Sequence, residues 1–313
     1  MRAFVAGATG AIGRRLVPQL LEAGHEVTAM TRSQEGAARL REGGAAAVVC
    51  DVFDAGGVRA AVAEAAPEVV VHQLTALPER IDMRDMGVFD ATNRVRTEGT
   101  RVLLDAALAA GARRFVAQSL AFAYVPGAGE PPCDEETPLY SAAALPLGGA
   151  VKAIDELERD VTGTPGIEGI VLRYGWLYGP GTYFATDGST AAEVREQHFA
   201  IIGAGTGVYS FIHVEDAAAA AVAAVERGGP GIYNVVDDAP APVHEWLPFY
   251  AEAIGAPEPP QVSEIRGEVL AGSQVVELAT SLRGAANAKA KRELGWQPRY
   301  ASWRDGFATC SAA

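Results

Sequence analysis

A chain of 313 residues that is 49% hydrophobic and carries a formal net charge of −13 has apolar material enough for one large or two intimate domains. The acidic balance argues against a nucleic-acid partner, because that affinity rests on cationic neutralisation of phosphates, and no run approaches the ~20 apolar residues of a membrane span. The three cysteines Cys50, Cys133 and Cys310 share no metal-ligand spacing and their odd count suits a reducing compartment, and no signal-peptide pattern opens the chain. A cytoplasmic protein without a metal site is expected.

In chain order, the runs "RAFVAG", "EVTAMTR", "AAVVCD", "EVVVHQL" and "RRFVAQS" are continuously apolar, as strands buried on both faces are. Between them lie Ala/Leu-rich segments such as "RRLVPQLLEAG" and "TRVLLDAALAAGA", with helical spacing and a closing glycine. Pro18 predicts a mild kink in the first helix, since it removes a backbone donor. Alternation of this kind predicts an α/β fold, a Rossmann-type doubly wound parallel sheet.

The first strand-to-helix junction, "VAGATGAIGRRL", spaces Gly7, Gly10 and Gly13 as a dinucleotide cradle, with Thr9, Ala11 and Ile12 between them. Gly7 permits the tight turn, Gly10 lets a pyrophosphate reach the backbone, and Gly13 permits close helix packing. The second strand ends in Thr31, Arg32 and Ser33 where an NAD site would carry a carboxylate for the ribose 2′-hydroxyl. Arg32 and Ser33 there predict NADP(H), whose 2′-phosphate meets a cation instead of a repelling acid. Asp51 and Val52 fall beside the adenine, and Gln73, Leu74 and Thr75 along the cofactor's path.

An irregular Pro/Gly-rich and acidic stretch over 120–147 follows, then a helix containing Lys152, the strand "IEGIVLRYGW" and a second irregular stretch, "YGPGTYFATDGST". "YSFIHVED" predicts a strand and then an alanine-rich helix capped by Asp216. The expected organisation is an NADP-binding domain over 1–175 and 208–237, with a smaller substrate-binding subdomain over 176–207 and 238–313 that includes a lid over 182–200.

The motifs "GATGAIG", "CDV", "NRVRTEGTRVLLDAAL" with Asn93, "RRFVAQS", "LRYGWLYGPG", "FIHVEDAA" and "NAKAKRELGWQP" resemble, in order and over nearly the whole chain, the extended short-chain dehydrogenase/reductase superfamily. That group includes nucleotide-sugar epimerases and dehydratases. In it a Ser/Thr and a YxxxK pair handle the proton at the substrate oxygen, and the lysine lowers the phenol's pKa and holds the nicotinamide ribose. The resemblance puts Lys152 on the lysine, Gly148 on the tyrosine, Leu120 on the serine, and Tyr174 beside the cofactor. Two of three catalytic side chains are therefore missing.

Ser119 and Thr75 remain as candidate catalytic groups, together with Tyr140 in the long loop, an ordered water or a phenol of the substrate. The candidate substrate walls are apolar and aromatic: Leu77, Phe122, Tyr140, Trp176, Tyr183 and Phe184, with His198 among them. They suit a hydrophobic ketone better than a sugar nucleotide. The chain is similar to tyrosine-lacking ketoreductases of aromatic polyketide (angucyclinone-type) antibiotic pathways, which implies NADPH-dependent reduction of a bulky aromatic ketone. The alternatives are a non-catalytic NADP(H)-binding regulator and a nucleotide-sugar epimerase or dehydratase.

Overall fold

The continuous apolar runs form the centre of the molecule. The computed structural model describes residues 1–127, 132–140 and 148–310, so the irregular stretch expected over 120–147 is described only in part. Seven strands build one sheet: β1 (Arg2–Ala6), β2 (Glu26–Thr31), β3 (Ala46–Val49), β4 (Val69–His72), β5 (Arg114–Leu120), β6 (Glu168–Tyr174) and Gly231–Val235. The short strands β7 (Trp176–Tyr178), β8 (Ile201–Ile202), β9 (Val208–Tyr209) and β10 (Phe211–His213) precede the last of these, which is β11, and β12 (Ala241–Pro242) and β13 (Gln261–Val262) follow it. The order is β11-β6-β5-β4-β1-β2-β3, with every neighbouring pair parallel. Strand order reverses between β1 and β4, so the crevice for a ligand opens beyond their carboxyl ends.

Helices cover both faces. On one face α1 (Gly13–Glu22) packs on Val214–Glu226, and on the other Ala55–Ala65, Thr100–Ala109 and Gly148–Gly163 pack together. In chain order these are α1, then α2 (Gln34–Glu42), α3 (Ala55–Ala65), α4 (Asp90–Arg94), α5 (Thr100–Ala109), α6 (Gly148–Gly163), α7 (Ser189–Arg195) and α8 (Val214–Glu226). Pro18 lies inside α1, which runs on to Glu22. Between α4 and α5 the chain makes a π-helical turn over Val95–Gly99. The rest is α9 (Val243–Ala253), α10 (Glu264–Ala271), α11 (Ser273–Ser281), α12 (Ala288–Leu294) and α13 (Trp303–Cys310).

Two aliphatic cores flank the sheet. A third core is aromatic and joins Tyr178, Phe184, Tyr209, Phe211, Trp246 and Trp303 beyond the sheet's carboxyl edge. One expected cap is corrected here. His213, not Asp216, caps α8 by accepting from the Glu215 N–H. Asp216 sits in the first turn and accepts the Arg299 and Tyr300 N–H groups at 2.9 Å each, which ties the C-terminal segment to α8.

Candidate active site

At the β1–α1 junction the backbone explains its own glycines. Gly7 has φ +93°, and a Cβ there would lie 2.6 Å from the Gln73 carbonyl; one on Gly13 would lie 2.1 Å from the Gly7 oxygen. Gly10 is different. Its nearest neighbour to an added Cβ is the Gly7 oxygen at 3.4 Å, and the residue is exposed. Bare backbone at Gly10 therefore serves whatever approaches from outside, and α1 starts with no side-chain cap, which leaves its first N–H groups and its positive dipole end for phosphate oxygens.

The residues beyond β2 continue this cradle. Arg32 is exposed at the strand's end with no carboxylate beside it in sequence, while the Ser33 hydroxyl is engaged in capping α2 through the Gly36 N–H. Thr9 packs close to Gly36, so the glycine turn and the start of α2 adjoin. Asp51 holds the Phe53 N–H, and Val52 is buried against Gly99. Gln73 takes the Ala6 carbonyl through its N–H and donates Nε2 to the Tyr174 hydroxyl at 3.3 Å, leaving its buried Oε1 without a partner. Leu74 is held by His72 and Gln118, and Thr75 is exposed. This crevice fits a nicotinamide dinucleotide: a bare-backbone turn, an uncapped helix start, an exposed cation at the end of β2 and a free buried acceptor on the Gln73 side chain.

The catalytic positions are sparse. Gly148 is buried at the first turn of α6, and Lys152, one turn on, is exposed in a cleft shared with Tyr140, Asp155 and Arg159. Ser119 is turned away from the role expected of it. Its hydroxyl donates to Glu158 at 2.6 Å on the α6 side of the sheet, and Glu158 is paired with Arg173 through bonds of 2.8 and 2.6 Å. Strand alternation places Leu120 on the opposite face. Tyr140 donates to Glu277 at 2.9 Å, and burial, then that carboxylate, pushes its phenol up to about 12. Among the described residues, Thr75 is thus the candidate whose hydroxyl has no hydrogen bond.

The aromatic walls divide into pocket and core. Phe122 stacks on Trp176 at 4.1 Å, and Trp176 stacks on Tyr209 at 4.8 Å. The Trp176 Nε1 is buried without a partner. Phe184 lies edge-on to Trp176 but is a core residue, 5% exposed and packed on Phe211 and Trp246. His198 is corrected as a wall: it projects outward beside Glu196, 62% exposed. Leu77 is exposed on the loop after β4. That loop is clasped to the 182–200 segment, because the Tyr183 hydroxyl donates to the Pro78 carbonyl and Arg80 pairs with Glu193.

One residue escaped the sequence reading. Arg96, on the π-helical turn, is 7% exposed, and among the described residues no hydrogen bond or ion pair is found for it. Helical spacing could have found it, since Thr92, Arg96 and Thr100 fall on one face. Near it, the Asn93 Oδ1 is buried and unpartnered, and burial, then the Arg96 charge, lowers His72 to about 4, so that ring stays neutral. No group of three or more His, Cys, Asp or Glu among the described residues could hold a metal, and no helix is long and apolar enough to cross a membrane.

The family model described as NAD dependent epimerase/dehydratase matches residues 3–235. The chain is 50% identical to a 3-diazoavenalumate denitrifying reductase of a Streptomyces species, over 98% of this chain and 99% of that one. It is 27% identical to a 4-hydroxy-2-methyl-3-oxo-4-farnesyl-3,4-dihydroquinoline-1-oxide ketoreductase of Stigmatella aurantiaca, over 82% of this chain and 74% of the other. Among solved structures, the UDP-glucose 4-epimerase of Thermotoga maritima shares the fold with a TM-score of 0.78 at 22% identity, covering 100% and 98% of the two chains. A human epimerase family protein with NADPH gives 0.73 at 19%, covering 100% and 99%.

Proposed function

The chain belongs to the NAD dependent epimerase/dehydratase family and is an oxidoreductase of the short-chain dehydrogenase/reductase type, and on that premise we propose that it is an NADPH-dependent denitrifying reductase, replacing the diazo group of a flat aromatic carboxylate by hydrogen. The observation that carries this reading is the proton-donor position itself. Gly148 and Leu120 offer no proton, and the Ser119 hydroxyl is bonded to Glu158. Reduction of a ketone needs a proton on the nascent alkoxide, and a positioned donor is typically worth ~10²–10⁴-fold. Bound NADPH supplies a hydride, and with an aryl diazonium ion the balance closes without a proton: Ar–N₂⁺ plus H⁻ gives Ar–H plus N₂, the C–N electron pair leaving with nitrogen.

The side chains present match that demand. Gly7, Gly10 and Gly13 would cradle the pyrophosphate, Arg32 would meet the 2′-phosphate, and Phe122, half-buried and stacked on Trp176, would be the ring that meets an arene. Tyr183 on Pro78 and Arg80 on Glu193 clasp the loop after β4 to the 182–200 segment. Excluding water matters here because water competes with hydride for a diazonium carbon. The 50% identical relative, named for denitrifying a diazo carboxylate, supports the substrate class.

Incubation of the protein with NADPH and diazotised aminocinnamates tests it. One N₂ released per NADPH oxidised, with deuterium from the 4-deuterated cofactor at the carbon that carried nitrogen, is the expected result. N₂ release no faster than without enzyme overturns it. A second reading, reduction of a bulky aromatic ketone, is favoured by the quinoline-oxide ketoreductase relative. It requires water, Thr75 or a substrate phenol as the proton source, and NADPH oxidation by polyaromatic ketones but not by diazonium carboxylates would select it.

A further inference from the structure

The most unusual group outside the reading above is the guanidinium of Arg96. It is 7% exposed, and no carboxylate acts on it: burial alone pulls it down, to about 10. The sequence between Tyr140 and Gly148, "SAAALPL", contains no acidic residue either. A buried, unpaired cation costs several kcal/mol, and this one rests on a π-helical turn, a rare feature that is frequent at functional sites.

Its neighbours fix where it is. Thr92, one turn earlier, accepts the Ala76 N–H from the loop leaving β4, and Thr100, one turn later, meets His72 at 3.1 Å. The Asn93 side chain lies 3.9 Å from where a Gly149 Cβ would be. The segment that carries Arg96 therefore packs between the exit of β4 and α6. Asn93 Oδ1, three positions before Arg96, is buried without a partner. A buried guanidinium with no bond among the described residues and an unsatisfied amide oxygen three positions away form a site for a ligand that carries both an anionic oxygen and a donor.

We propose that Arg96 binds an anionic oxygen of the substrate, the carboxylate or phenolate of an aryl acid. This rests on the reductase reading for the identity of the aryl acid. The substrate's charge neutralises the guanidinium, so affinity for an aryl anion is obtained from a buried cation that has no partner among the described residues.

The test uses binding rather than turnover. With the whole chain saturated in NADP⁺, calorimetry measures 4-hydroxycinnamate, its methyl ester and 4-methoxycinnamate against wild type, R96M and R96K. Wild type is expected to prefer the free acid by about tenfold or more over whichever derivative masks the bound oxygen, as a charge-assisted hydrogen bond implies. Loss on esterification assigns the carboxylate, and loss on O-methylation the phenolate. R96M should abolish that preference with NADP⁺ affinity intact and should melt at a higher temperature than wild type, because removing an unpaired buried charge relieves its desolvation, while R96K retains part of the preference. An R96M protein that melts lower or does not fold, equal loss of all three probes, or no binding of any probe to wild type would overturn the proposal. N₂ release failing while the acid preference holds overturns the reductase reading alone.

Discussion

Replacing Glu158 by Gln exposes how the sheet is fastened to α6. Glu158 and Arg173 are 5% and 4% exposed at the side chain and are joined by two bonds of 2.8 and 2.6 Å. Arg173 also donates to Tyr124 at 2.9 Å, and Tyr124 to Asn234 at 2.6 Å. Removing the carboxylate charge strands a guanidinium in a dry interior, which typically costs about 3–5 kcal/mol. An unfolding entropy of about 2.1 cal/mol/K per residue gives ~0.66 kcal/mol/K for 313 residues, so the melting temperature should fall by roughly 5–8 °C. Differential scanning calorimetry measures it, and the double replacement E158Q/R173M should recover most of the loss, because a neutral pair of similar volume avoids the stranded charge. NADPH affinity should be unchanged, since the network faces α6 and not the glycine turn. A fall below about 1.5 °C, equivalent to ~1 kcal/mol, or a double variant no better than the single, would refute the reasoning.

Other outcomes follow from single sites. G10A should keep its melting temperature while losing NADPH affinity in a fluorescence titration, whereas G13A should unfold earlier because its Cβ would lie 2.1 Å from the Gly7 oxygen. R32A should weaken NADPH by roughly 10–100-fold, the equivalent of one charge-assisted contact, and leave NADH nearly unaffected. G148Y should not raise the rate of N₂ release, because the proposed step consumes no proton; a large gain would mark a ketoreductase that has lost its acid. Burial raises Asp237 from 3.8 to about 7, so the folded state holds a proton that the unfolded state has released. Stability is then fully present below about pH 4 and declines as pH rises towards 7, by up to ~4 kcal/mol. D237N should flatten that slope in pH-dependent urea titrations, keeping the bond from the Ala239 N–H.

Much of this was legible in the sequence for a simple reason. A strand covered on both faces carries apolar residues on both of them, so β1, β2, β4 and β5 announce themselves, and a glycine that must clear another backbone, as Gly7 and Gly13 do, cannot be replaced by any other residue. The pairing of Gly148 with Lys152 that the resemblance implies is equally local, because the two are one helical turn apart.

Tertiary structure decided the rest. Whether Ser119 can give up a proton depends on which face of β5 it occupies and on Glu158, 39 positions away. Whether Phe184 and His198 line a cleft depends on Phe211, Trp246 and Glu196, which cover the one and leave the other outside. Arg96 reads in sequence as one more helical arginine, and only the packing of its turn against α5 and α6 takes water away from it. Covalent spacing sets which residues can share a strand or a turn, but desolvation is a property of everything that closes over a side chain, and it is desolvation that separates an ordinary cation from a binding site.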